Sequence, residues 1–277
     1  MSRTALRLAL AAGLVSASAT AAQAQTRTWD LGDRTAPGAC TQTSAGSTVS
    51  GAPGIGNVFS CTEQPGGTAT TLSVSAFSSN STTGITAAAV TPQGTGSGMG
   101  VGNVTEGGLN ASSSGGNHAM DNSVSEDGLL FSFTSSQILR KVTLGWTGTD
   151  GDFQVLRWAG SAAPSFTSGM TVGAALNAGW QLVSSVQGAG YIDATDVGYA
   201  VNAGGLASQY WAVTAYNAAW GTSAGFKADA TADQIKVRSI SADTPIAANV
   251  VPEPSTYALM GAGLAGLLGV ARRRRTA

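Results

Sequence analysis

Apolar and polar residues alternate with a period of two along several short stretches of the chain. The clearest is Thr71-Leu72-Ser73-Val74-Ser75-Ala76-Phe77, where small polar and apolar side chains take turns as a half-buried strand requires. Leu129–Thr134, Ile138–Trp146, Phe153–Trp158, Trp180–Val186, Tyr210–Tyr216 and Ile235–Ile240 read as further strands, each bounded by Gly, Ser, Asn or Asp. A single weak helical pattern, Met170–Asn177, is interrupted by Gly173. Many short strands joined by polar turns predict an all-β fold, an antiparallel β-sandwich of jelly-roll type. Gly84–Asn117 is rich in glycine and poor in large apolar residues, and is expected to form long loops or an insertion at one end of the sandwich. The absence of a fixed-period repeat argues against a solenoid or propeller.

The pattern changes at both ends. Arg3 and Arg7 precede an apolar stretch, Leu8–Val15, and small residues follow up to Ala22-Gln23-Ala24. Such an arrangement predicts a secretory signal over residues 1–24, cleaved after Ala24, and with it export through the Sec translocon. At the other end, Val251-Pro252-Glu253-Pro254 and Ser255-Thr256 lead into an apolar run, Tyr257–Ala271, closed by Arg272, Arg273, Arg274 and Arg275. Proline lacks an amide hydrogen and is tolerated before or at the first helical turn, so a helix is expected to start here. Fifteen helical residues rise about 22 Å against a hydrocarbon core of ~30 Å. Residues 255–271 are therefore expected to form a short transmembrane helix of marginal length, with the arginines on the cytoplasmic side. Three regions result: the signal (1–24), a β-sandwich surface domain (25–248) and a C-terminal segment (249–277).

Pro252-Glu253-Pro254, a short Gly/Ala/Leu-rich span and a terminal arginine cluster, in that order, resemble the PEP-CTERM sorting signal of Gram-negative bacteria. The resemblance covers Val251–Ala277. It implies recognition and processing by an integral-membrane exosortase, with an inner-membrane-anchored precursor that ends at the cell surface or in the extracellular matrix. A second resemblance runs through the middle of the chain. Gly98-Met-Gly-Val101, Glu106, His118-Ala-Met-Asp121-Asn122, Asp127-Gly-Leu-Leu-Phe131-Ser-Phe133, Leu144-Gly145-Trp146, Ser208-Gln-Tyr210-Trp211 and Tyr216-Asn217 are similar to one group of exosortase-dependent surface proteins. It implies location rather than mechanism.

Charge sharpens this division. The whole chain has a net charge of −1, but residues 25–251 hold eight basic and fourteen acidic residues, a net −6. Charged residues are 10% of the chain, against a usual ~25%, which argues against a disordered tail or a nucleic-acid-binding domain. Cys40 and Cys61 are the only cysteines, and export favours a disulfide between them, closing a loop of about twenty residues worth ~3 kcal/mol. With one histidine besides, a four-ligand zinc site is nearly excluded.

Candidate chemistry is sparse. His118, Asp121 and Asn122 form the obvious polar group, but no Gly-x-Ser-x-Gly elbow supplies a nucleophile. Asp121 and Asp127 in one loop, and Asp150 and Asp152 in another, offer hard oxygens of the kind Ca²⁺ takes, though the EF-hand spacing fails. An Asp-Gly hairpin turn accounts for Asp150-Gly151-Asp152 without a metal. Gly94-Thr-Gly96-Ser-Gly98-Met-Gly100 lacks the lysine of a phosphate loop. Of six tryptophans, Trp146 and Trp211 read as core, and Trp220 is the candidate for an exposed glycan-stacking ring. No catalytic set assembles, so the chain is expected to be non-enzymatic and without a cofactor unless calcium binds. The expected role is structural, in an envelope or exopolysaccharide layer. The alternatives are a carbohydrate-binding module or adhesin, and a secreted glycan hydrolase.

Overall fold

The two stretches Leu129–Thr134 and Ile138–Trp146 form one continuous strand, Glu126–Thr147, and the architecture is built on it. In the computed structural model the described residues are 25–32, 40–47, 54–63, 70–80, 84–94, 96–106, 118–166, 168–245 and 254–274. The strands in chain order are β1 (Thr26–Asp30), β2 (Thr41–Ser44), β3 (Val58–Cys61), β4 (Leu72–Asn80), β5 (Gly84–Pro92), β6 (Met99–Gly102), β7 (Met120–Asp121), β8 (Glu126–Thr147), β9 (Phe153–Trp158), β10 (Trp180–Val186), β11 (Ile192–Ala200), β12 (Ser208–Ala215) and β13 (Gln234–Asp243). Every pairing between these strands is antiparallel.

β8 belongs to both sheets. Its first half pairs with β4 and β12 (Phe131 opposite Val74 and Trp211), and its second half with β13 and β11 (Val142 opposite Ile240 and Tyr199). Between them Thr134, Ser135 and Ser136 are exposed, and this polar interruption, which made the sequence read as two strands, is where the strand changes sheet. β5 does the same, pairing with β4 from Gly84 to Ala88 and with β6 from Ala89 to Pro92. The first sheet thus runs β10-β9-β12-β8-β4, continued by β3 and β2; the second joins β11, β8 and β13 to β1, β6 and β7. This is the antiparallel all-β sandwich expected, and its main core draws from both sheets: Leu129, Phe131, Trp211 and Val213 from one, Val142, Leu144, Val237 and Ile240 from the other.

The opposite face of the first sheet is buried as well. Phe77, Leu156, Ala212 and Trp180 pack there with Trp220, beneath helix α1 (Val172–Ala178) and the 3-10 turn Ala218–Trp220. Val155 and Leu156, and likewise Val213 and Ala212, divide between the two cores as the two-residue period of a strand dictates. Thr171 caps α1 by accepting the Ala174 N–H at 3.1 Å, and Gly179 ends it at φ 132°. Gly173 lies within the helix rather than ending it.

The segment from Gly84 differs from the long loop expected, since it contributes β5 and β6. Its side chains are small because space is short: a Cβ on Gly100 would lie 1.7 Å from the carbonyl oxygen of His118. Residues 107–117 lie outside the described ones. The Asp-Gly turn also differs from the expectation, because β8 and β9 do not pair. It carries the chain to β9 in the first sheet, and Asp150 instead makes a parallel bridge to Asp233.

Cys40 and Cys61 form the expected disulfide, tying the start of β2 to the end of β3. The body, Ala24–Pro245, is one unit. Its first and last strands pair along their length, from Thr26 opposite Asp243 to Asp30 opposite Ser239. Asp243 accepts from Thr26 Oγ1 at 2.6 Å and from Arg140 Nε at 2.7 Å, and Arg27 pairs with Glu63 at 2.5 Å. Outside the body, the helix expected after the prolines is present as α2, Pro254–Arg274. Among the described residues no helix is long and apolar enough to cross a membrane.

Candidate functional site

The four aspartates that stood out in the sequence separate into two carboxylate clusters, and each gains a member that sequence spacing does not point to. Asp121 and Asp127 meet Glu106, while Asp150 and Asp152 meet Asp233; within each trio one oxygen per residue lies within 4.8 Å of the others. Glu106 is fifteen residues before Asp121, and Asp233 is eighty-one after Asp152, so only the fold brings them together.

In the first cluster Asn103 is the organiser. Its Nδ2 donates to Glu106 Oε2 at 2.8 Å and to Asp127 Oδ1 at 3.1 Å, while its Oδ1 accepts the Glu106 N–H at 3.0 Å. Ser125 donates to Glu106 Oε1 from both N–H and Oγ, at 3.1 and 2.9 Å. Burial, followed by the charge of Glu106, pushes the Asp127 carboxyl well above the usual carboxylate range. Burial likewise raises Asp121 to about 6, although it accepts the Ser123 N–H at 2.9 Å.

The second cluster hangs on backbone amides. Asp233 accepts the Asp152 N–H at 2.9 Å and Asn122 Nδ2 at 2.6 Å, Asp152 accepts the Gly188 N–H at 2.9 Å, and Asp150 accepts the Gly151 N–H at 2.8 Å. Burial raises Asp233 to about 7 and Asp152 to about 6, with neighbouring carboxylates adding to the shift. Asp121 and Asn122, adjacent in sequence, therefore serve different clusters, and β7 fixes the place of both by pairing with β13. Carboxylates grouped this way are the oxygen donors a hard cation takes, but a Ca²⁺ ion needs 6–8 oxygens and each trio contributes three residues.

His118 is buried, and its carbonyl oxygen accepts from Thr91 Oγ1 at 3.2 Å, which anchors the segment entering β7. The tryptophans do not form a binding platform. Trp29, Trp180, Trp211 and Trp220 are buried, so the exposed stacking ring expected at Trp220 is corrected: the 3-10 turn holds it 2% exposed in the second core. Trp146 lies under Lys236, whose Nζ sits 4.4 Å from the ring centroid. Trp158 is half-buried.

A cavity lies elsewhere, at the end of the first sheet. It holds about 450 Å³ between the end of β4, the start of β8, the first turn of α1 and the 3-10 turn. Glu126, Ser79, Asn217 and Thr171 line it, and Ser79 Oγ donates to Glu126 Oε2 at 2.9 Å. Sequence reasoning misses this site, because it draws single polar residues from four separate segments.

Of the sorting residues, Pro254 opens α2 and Arg272, Arg273 and Arg274 close it; Pro252, Glu253 and Arg275 lie outside the described residues, as does the cleavage position Ala24. No curated protein matches the chain. Among solved structures, the family 32 carbohydrate-binding module from Streptococcus pneumoniae EndoD is similar over 50% of this chain and 82% of that one, at 10% identity and a TM-score of 0.21. The PEP-CTERM protein-sorting motif matches residues 250–275, and the body, including residues 28–240, lies outside that match. The chain thus carries a PEP-CTERM protein-sorting motif, which implies an exported protein sorted to the cell surface.

Proposed function

We propose that this protein is a structural component of the cell surface or extracellular matrix, associated with exopolysaccharide, and that exosortase processing of its tail releases the body into that role. The observation that carries the reading is the closure of the body on itself. β1 and β13 pair along their length, so a signal and a tail are both removable without opening either sheet. The disulfide between Cys40 and Cys61 suits an oxidising compartment, and the low charge suits a body that packs within a hydrated layer. Export through Sec follows from the N-terminal signal pattern. A second reading, glycan binding by the same body, is favoured by the cavity at the end of the first sheet, where Ser79, Glu126, Thr171 and Asn217 converge.

The test is the mass of the protein recovered from cells with and without their exosortase. The mature form is expected to end near Pro254 in the first strain and to keep Arg272–Arg275 in the second. Identical masses in the two strains overturn the processing step. Recovery of the processed protein from the culture medium alone, with none in the washed polysaccharide layer, overturns the matrix role.

A further inference from the structure

The cavity of about 450 Å³ has a lining whose chemistry narrows its occupant. Its polar side chains are Ser79, Asn80, Glu126, Thr171 and Asn217, and no lysine, arginine or histidine is among them. Ser79 takes Glu126 Oε2, which leaves Oε1 as the acceptor. Asn217 spends its Oδ1 on the Ala219 N–H at 2.7 Å, so its amide hydrogens are what it has to offer. Thr171 Oγ1 accepts from Ala174, and its hydroxyl proton remains a donor. Acceptor and donors are therefore arranged around one space of a size typical for small ligands, ~300–1,000 Å³.

The rest of the wall is Val172, Ala219 and the backbone of Gly84, Gly169 and Gly173. Gly84 has φ +65°, and a Cβ there would meet the Gly169 carbonyl carbon at 2.7 Å. A Cβ on Gly173 meets only Thr171 Oγ1, at 3.9 Å. The main chains of Gly84 and Gly169 thus pack against each other, and Gly173 is where a ring can approach the backbone closely. An anion would face Glu126 with no cation to balance it, and a cation would find one carboxylate already engaged by Ser79. Hydroxyl groups satisfy both sides, donating to Glu126 and accepting from Asn217 and Thr171.

We propose that this cavity binds a neutral, hydroxyl-rich sugar unit, giving the body a direct hold on polysaccharide. The inference rests on the matrix role proposed above and assigns a site to it. Secreted protein purified from its host is titrated with cellobiose, lactose and mannobiose, with a uronate-containing disaccharide as the charged control, and ligand-observed NMR reads binding. At least one neutral disaccharide is expected to saturate, and the uronate to bind more weakly.

Glu126→Gln keeps the shape of the wall and is expected to weaken binding about tenfold, or ~1.4 kcal/mol. Gly173→Phe fills the cavity and is expected to abolish binding without lowering Tm, because glycine is the poorer helix former. Absence of saturable binding by every neutral disaccharide overturns the proposal, as does binding that survives Gly173→Phe or prefers the uronate. Fractionation of the same cells separates the two claims. Wild-type protein held in the polysaccharide layer but silent towards the sugars overturns the cavity alone; wild-type protein absent from that layer overturns the matrix role.

Discussion

Asp127 is fully buried beside two other carboxyls, and the physical consequence is a stability that depends on pH. Asp121, Asp127, Asp152 and Asp233 all have carboxyls raised by burial, to about 6 or 7 where a value is resolved, against an unfolded value near 3.9. The folded body therefore holds protons that the unfolded chain has already released. The stability these groups contribute is full below pH ~4 and is lost as pH rises through 6–7. Glu106 faces the first pair, and Asp150 and Asp229 face the second, so no neighbouring cation offsets the effect within either cluster. Asp243 works the other way. Its bonds with Thr26 and Arg140 outweigh burial and lower its pKa, so its contribution fades only as pH falls below ~4. With EGTA present to exclude divalent cations, Tm is expected to fall by roughly 5 °C or more between pH 5 and pH 8. Asp127→Asn should raise Tm more at pH 8 than at pH 4. A melting curve unchanged across this range would remove the buried-carboxylate account.

At the scale of elements, β8 and the disulfide show how the sandwich is joined. β8 runs through both sheets, and Thr134–Ser136 mark its passage from one to the other. β2 has the opposite position: all four of its residues are exposed, and β3 is its partner strand. Such a strand adds little apolar burial, so the Cys40–Cys61 bond does much of the work of holding it. For a closed loop of about twenty residues the loss is ~3 kcal/mol, and replacing both cysteines by alanine is expected to lower Tm by roughly 6–12 °C. Calorimetry checks this, and an unchanged Tm would mean that β2 and β3 are held by the sheet alone.

At the scale of the molecule, the pairing of β1 with β13 separates what folds from what sorts. Removal of the segments before Gln25 and after Pro245 takes away none of the body's strands. The exosortase-processed protein and the full chain in detergent are expected to unfold at the same temperature within about 2 °C. Deletion of Thr26–Asp30 should lower Tm strongly, because it withdraws Trp29 from the core and Arg27 from Glu63. Equal melting of the truncated and intact bodies would show that β1 is no part of the closure.

Much of this was legible in the residues themselves. Strand-length runs bounded by turn residues locate β9 and β10 at their observed bounds, and β4, β12 and β13 to within a few residues, because successive side chains of a strand face opposite ways and turns need small or polar residues. The tail could be read for a similar reason, since a sorting signal is recognised as a linear order of parts and needs no fold to be recognised. β5, β6 and β11 escaped because alanine, glycine and small polar residues make up much of them, and small side chains announce neither period nor burial. Trp220 read as exposed from its small neighbours, yet it is covered by a turn whose position no local pattern encodes. The acidic clusters and the cavity belong wholly to tertiary structure. Glu106, Asp233, Ser79, Glu126, Thr171 and Asn217 become neighbours only when strands far apart in sequence are laid side by side. A β-rich body and a C-terminal sorting motif follow from the residues alone, because those properties are periodic or linear. Which carboxylates share a charge, and which polar groups share a cavity, depended on strand register across two sheets, and only the assembled sandwich decides that.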